Sequence, residues 1–348
     1  MTDMDVEPNE LTRACVLDGN SIVVSSVKSD ADVYEPKSVI WRYSESGGAA
    51  QWEAREMDVH VEKIIPSTSL GDCIVLSSEG EVIVDVFTEA HVERIVGAGT
   101  WIEGSKGYGR LLSIARIDDL LFASGNGGQI YVRGDEGWRL LTDTILFDPE
   151  AHTKLSRTAP PTTDPGFLQW LMDSRSQRPR NISLHDVAGH NKDAVYVCGV
   201  DGTKPVLFFW DGAALRELKV HLEETALTGI YIENEDSVWI CGREGVLLHG
   251  SSARGFTPVN LRSQLNLFHM VRPYRENLVL PSSVRPGGLF EMNKTSSNLR
   301  RFTPRMPELQ GDYIFHSDAS NDVLWVVGQK DIFRFYGNAW ERKQHPAL

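Results

Sequence analysis

The chain has 348 residues, 41% of them hydrophobic, and a formal net charge of −13. That is enough apolar material for a sizeable core, and the negative charge repels nucleic acid and anionic membranes while suiting a basic partner. No run reaches the roughly 18 consecutive apolar residues of a membrane helix, and Cys15, Cys73, Cys198 and Cys241 lack the CxxC spacing of zinc and redox motifs.

In chain order, the opening MTDMDVEPNE is acidic and has no apolar h-region, so it is expected to be a short tail rather than a signal peptide. SIVVSS at 21–26 is the first apolar run, and a long loop follows it to residue 37. CIVLSS at 73–78 is the second. DLLFASG at 119–125 is the third, followed by QIYV and the turn GDEGW. After an irregular stretch come DAVYVCG at 193–199, DSVWICG at 236–242, LVLPSS at 278–283 and DVLWVVG at 322–328. Each strong copy has an Asp six residues before its Gly and an aromatic three before it: Phe122, Tyr196, Trp239 and Trp325. Asp suits the turn into a strand, the apolar run suits a strand buried on both faces, and Gly lets the chain leave it. A further apolar stretch precedes most of these runs, as in LLSIARI, ISLHDVA, LTGIYIE, LNLFHMV and DYIFHSD.

Taking Ser26, Ser77, Gly125, Gly199, Gly242, Ser282 and Gly328 as equivalent anchors gives spacings of 51, 48, 74, 43, 40 and 46. All but one lie near the period of a four-stranded propeller blade. The expected fold is all-β: a seven-bladed β-propeller of four-stranded antiparallel blades, with a short helical insertion between blades three and four. The expected layout is an acidic tail over 1–10, one propeller domain over 11–344 with the insertion at 143–183, and a C-terminal tail over 345–348. Blade seven already has four strands, so residues 11–17 should begin blade one rather than complete blade seven.

The pattern Asp-φ-φ-aromatic-φ-x-Gly (φ, apolar), then an apolar strand, then Gly-x-x-Trp, resembles the blades of bacterial kelch-like and photosystem-assembly-factor-like propellers across most of 11–343. GDEGW at 134–138 also resembles an Asp-box that has lost its Ser/Thr positions. The resemblance implies a fold. Such propellers include scaffolds, sugar binders and enzymes, so function must come from a site.

Within the long interval, the breaker cluster TAPPTTDPG precedes a short helix through about Ser174, with Asp164 as N-cap and Pro165 in its first turn. Phe167, Trp170 and Leu171 share one helix face. In a propeller this connection emerges on the same side as the loops between second and third strands, and binding residues concentrate on such loops. The expected partner-binding residues are therefore Trp170 and Phe167 of the insertion, Tyr34, Asp30, Asp32 and Glu35 of the blade-one loop, and Arg243 and Arg285 of blades five and six. The bland alternative is a helix that caps an apolar patch beside a solvated loop.

His185, His269 and His316 each follow an apolar residue in an expected innermost strand, and three imidazoles converging on the channel could ligate a metal. No carboxylate cluster joins them, so independent histidines bonded to backbone are the favoured reading. Asp119, Asp193, Asp236 and Asp322 recur with the fold and are structural rather than catalytic. No GxSxG, P-loop or HExxH motif is present. These features fit a non-catalytic cytoplasmic protein-binding propeller without a cofactor, and in particular a bacterial immunity protein that neutralises a basic toxin or effector. The competing class is an enzyme or glycan binder with its site at the channel mouth.

Overall fold

A computed structural model describes residues 9–28, 37–46, 49–261, 267–284 and 287–348. Blade one comprises β1 (Asn9–Asp18), β2 (Ser21–Lys28), β3 (Ser38–Ser46) and β4 (Ala49–Met57), and blade two β5 (Val61–Pro66), β6 (Cys73–Ser77), β7 (Glu81–Val84) and β8 (His91–Arg94). Blade three comprises β9 (Leu111–Ile117), β10 (Leu120–Gly125), β11 (Ile130–Gly134) and β12 (Gly137–Leu140). The insertion follows, with helices α1 (Pro149–Ser156) and α2 (Phe167–Asp173). Blade four is β13 (Ile182–Asn191), β14 (Ala194–Asp201), β15 (Lys204–Trp210) and β16 (Leu215–Glu217); blade five is β17 (Leu227–Asn234), β18 (Ser237–Gly242), β19 (Leu247–Ser251) and β20 (Gly255–Pro258). Blade six is β21 (Arg272–Tyr274), β22 (Asn277–Ser282), β23 (Gly288–Asn293) and β24 (Leu299–Arg301); blade seven is β25 (Ile314–Ser320), β26 (Val323–Gly328), β27 (Ile332–Tyr336) and β28 (Ala339–Arg342). Every blade is an antiparallel meander of four consecutive strands, and the seven form a propeller ring.

The anchors have one structural meaning. Each pairs with a buried apolar residue of its blade's innermost segment: Ser26 with Leu11, Ser77 with Val61, Gly125 with Leu111, Gly199 with Leu184, Gly242 with Leu227, Ser282 with Phe268, and Gly328 with Ile314. In six blades the pairing slips immediately afterwards, which leaves Thr12, Glu62, Leu112, His185, Thr228 and Phe315 as bulge residues on the channel wall. Glycine is required by close approach rather than by a turn. A Cβ on Gly199 would lie 1.9 Å from the Ser183 carbonyl oxygen, and one on Gly125 would lie 2.3 Å from that of Arg110. The recurring Asp residues sit in two-residue hairpin turns, Asp118-Asp119, Lys192-Asp193, Glu235-Asp236 and Asn321-Asp322, with Asp118 and Asn321 at positive φ.

The core is divided among the junctions between blades. Phe122 packs against blade four, Tyr196 against blade five, Trp239 against blade six and Trp325 against blade one, all at 3% exposure or less. Ring closure uses no shared strand. Leu11 N donates to the Gln329 carbonyl at 2.8 Å, and Trp325 Nε1 to that of Asp18 at 3.2 Å. Arg334 and Lys343 both reach Glu45, at 3.2 and 2.8 Å. The last residues complete the closure: His345 lies edge-on between Trp41 and Trp52, with ring centroids 4.8 and 4.7 Å away, and Asn9 Nδ2 donates to the Ala347 carbonyl.

A polar belt runs around the channel inside this apolar ring. Arg13 of blade one is bound to Glu62 of blade two at 2.6 Å. Asp186 of blade four, 5% exposed, accepts from Ser113 of blade three at 2.8 Å and from Ile230 N of blade five at 2.9 Å, with Lys63 of blade two at 3.3 Å. Arg272 of blade six donates to the Ile230 carbonyl at 3.1 Å and faces Asp318 of blade seven.

Trp325→Ala is expected to lower stability by about 3–5 kcal/mol in a denaturant melt, because it empties a filled junction. Gly199→Ala should cost at least about 1–3 kcal/mol through overpacking, whereas Gly134→Ala, where nothing lies within 4 Å of the added carbon, should be close to neutral. Equal effects for the two glycines would contradict the close-approach explanation. Asp186→Ala should cost about 3 kcal/mol, the low end for a broken buried pair because Lys63 keeps some solvent, and Asp186→Asn should cost less.

Candidate partner-binding face

In a four-stranded meander, the loops after each second strand and the connections leaving each fourth strand emerge on one side of the ring. Two of the latter connections are long: 95–110 after blade two and 141–181 after blade three. Both grip the blade-three loop at Asn126–Gly128. Asn126 N donates to the Arg110 carbonyl at 2.8 Å, and Phe147 N donates to that of Gly127 at 2.8 Å. Gln129 Nε2 donates to the carbonyls of Gly109 and Asn126, at 2.9 and 2.8 Å. Gly127 and Gly128 both have positive φ, and a Cβ on either would strike the Tyr108 or Ile145 carbonyl oxygen, at 2.4 and 2.1 Å. The two connections are therefore fixed side by side on a rigid loop.

The insertion is pinned at both ends. Phe147 holds it to blade three, and Arg180 forks to Asp201 and Glu217 of blade four at 2.6 and 2.9 Å. Asp148 caps α1 by accepting from Ala151 N at 2.9 Å, with Pro149 in the first turn. The sequence carried this cap-Pro-Glu signal, but α1 was not among the expected helices. α2 corrects its expected start: Gly166 is the N-cap, and Asp164 instead accepts from Gly166 N at 2.7 Å in a turn. Phe167 and Trp170 are half-buried, with ring centroids 6.0 Å apart, and Trp170 Nε1 donates to Thr158 Oγ1 at 3.1 Å. They brace the insertion on itself. The residues that project are their neighbours, Leu168 and Met172, 68% and 64% exposed, with Leu171 at 37%.

The 95–110 connection contributes a second exposed apolar group that sequence reasoning missed. Glu79 Oε2 accepts from Thr100 N and Trp101 N, at 2.7 and 3.0 Å, and this holds Trp101 outward at 74% exposure. Val96 of the same connection is 78% exposed. The available signal was a tryptophan within the Gly-rich stretch VGAGTWIEGSKGYG. Of the other partner-binding candidates, Arg243 is exposed in the corresponding loop of blade five, on the same side. Tyr34, Asp30, Asp32, Glu35 and Arg285 lie outside the described residues.

The three candidate histidines all border the central channel. His185 is a bulge residue, and His269 also follows its blade's anchor partner, but His316 stands one position further on, where blade four has Asp186. His185 Nδ1 is bonded to the Leu227 carbonyl at 2.8 Å. Among the described residues no three His, Cys, Asp or Glu side chains are grouped to hold a metal ion. Burial drives the His269 and His316 imidazoles down to about 4 and about 3, with Arg13 adding to the first shift and Arg272 and Lys63 to the second. The cysteines are buried, and burial raises their thiols, Cys241 to about 12 and Cys73 further still, which leaves little reactive thiolate.

No family model matches the chain. Similarity to a curated protein runs nearly end to end. The "Immune protein Tsi7" of Pseudomonas aeruginosa is 22% identical over 329 residues, covering 91% of this chain and 92% of that one. Among solved structures, the WD40 β-propeller domain of Doa1 superposes with a TM-score of 0.61 at 9% identity, over 97% of this chain and 94% of that one. YCF48 from Cyanidioschyzon merolae gives 0.56 at 12% identity, over 99% and 97%. The structural likeness supports the propeller architecture and not the kelch-like family in particular. Among the described residues no helix is long and apolar enough to cross a membrane.

Acid should weaken the fold through its buried histidines. His269, His316 and His345 have folded values of about 4, 3 and 4, below the ordinary 6.5. The unfolded chain therefore binds more protons as pH falls below 6.5, and stability declines from there toward pH 4. Denaturant midpoints at pH 7 and pH 5 should show this decline, and His345→Phe, which keeps an aromatic wedge between Trp41 and Trp52, should reduce it.

Proposed function

We propose that this chain is a non-catalytic protein-binding propeller, and in particular a bacterial cytoplasmic immunity protein that neutralises a toxin by binding it. The observation that carries the reading is the exposed apolar side chains of two connections on the same side of the ring, Trp101 and Val96 on one and Leu168, Leu171 and Met172 on the other, each connection bonded to the blade-three loop. Exposed apolar side chains on a rigid support fit a protein partner, because they lose little entropy on binding. The charge of −13 favours a basic partner, which it would steer toward the ring. The immunity reading gains support from a relative named as an immune protein that matches over nearly the whole of both chains.

The partner should be captured from the native cell, identified by mass spectrometry, and produced alone to see whether it arrests growth. Co-production of the wild-type chain is expected to restore growth. Trp101→Ala combined with Leu168→Asp and Met172→Asp should abolish that rescue and weaken binding at least about tenfold, without lowering the melting temperature. A harmless partner would overturn the immunity reading. A toxic partner still neutralised by the triple variant would move the binding surface elsewhere on the ring.

A further inference from the structure

The central channel encloses about 500 Å³ and carries charged groups that the partner-binding face does not use. Its three basic residues differ in how fully they are paired. Arg13 uses all three of its nitrogens: Nη2 and Nε go to the Glu62 side chain and carbonyl, at 2.6 and 2.5 Å, and Nη1 goes to the Thr12 carbonyl at 2.8 Å. Lys63 has three N–H donors but, among the described residues, a single long contact, 3.3 Å to Asp186. That carboxylate already receives closer hydrogen bonds from Ser113 and Ile230. Arg272 spends Nη1 on two carbonyls, and its Nε stands 3.9 Å from Asp318, too far for a hydrogen bond. Ile230 links the two: its N–H donates to Asp186, which Lys63 reaches, and its carbonyl accepts from Arg272, so both cations belong to one stretch of the channel. Both side chains keep some exposure, 29% and 21%, and channel cations with donors not spent on protein groups favour an anion.

We propose that the channel binds a small oxyanion, a carboxylate or a phosphate, between Lys63 Nζ and the guanidinium of Arg272. The wall suits this class of ligand. Asp186 is occupied by its own donors, Ser113 and Ile230. Burial raises the Asp318 carboxyl above its ordinary range. His316 cannot supply a competing positive charge at neutral pH, so the site rests on two residues that can be changed singly.

The test titrates inorganic phosphate, and separately malonate, into the purified chain at constant ionic strength, by calorimetry and thermal melting. Saturable binding of one or both is expected, and the comparison separates the phosphate and carboxylate sources. Lys63→Met and Arg272→Met should each weaken it at least about tenfold, and Lys63→Arg should retain it. Absence of saturable binding by the wild-type chain for both anions would overturn the proposal, whether or not the Met variants fold. Unchanged binding in folded Met variants would do so too.

Discussion

Asp186 gathers contacts from Lys63, Ser113 and Ile230, so one carboxylate ties four blades to a common point beside the channel. A ring of blades whose apolar contacts are only with neighbours has no central core to hold it in shape. The belt supplies that centre, with Arg13–Glu62 extending it to blade one and Arg272 extending it to blades six and seven. Buried charges of this kind are costly unless fully bonded. Asp186 meets the condition by taking a backbone N–H and a hydroxyl as well as an ammonium. The bulge just before it makes the arrangement possible, because the slip in register after Leu184 shifts the pairing by one residue.

The same bulge accounts for the anchor that recurs along the chain. In four blades the carbonyl just before the kink comes too close to the second strand for a Cβ, and these carry Gly; the other three carry a buried Ser at the same anchor. The serines are used: Trp41 Nε1 donates to Ser26 Oγ at 2.9 Å, and Ser77 Oγ donates to Glu81. Packing at the blade junctions, the channel belt and the repeat in the sequence thus share one backbone device.

Closure and recognition are added to this scaffold by residues outside the repeat. Blades seven and one meet through the Trp325 junction and are fastened by the final residues, where His345 fills the space between two tryptophans. On the side of the insertion, two long connections converge on Gly127 and Gly128, whose missing side chains leave room for both. The exposed apolar groups are therefore carried by segments fixed to the ring.

The sequence by itself determined the architecture. The Asp-to-Gly repeat placed four anchors and its weaker copies the three serine ones, and the aromatics Phe122, Tyr196, Trp239 and Trp325 were legible as core, because strand period and blade period are local properties of the chain. It also marked the insertion and α2 through breaker and helix signals. Only the tertiary structure decided which insertion residues face outward: Phe167 and Trp170, the conspicuous aromatics, stack and bond within the insertion, while Leu168, Met172 and the unremarked Trp101 are exposed. Helix periodicity identifies a face but not what covers it. The channel was equally hidden. His185, His269 and His316 looked equivalent along the chain, but pairing set His316 one position apart, and Lys63, Asp186 and, through Ile230, Arg272 are joined although they are far apart in sequence. Their contacts depend on how seven blades close into a ring, and no local pattern records that closure.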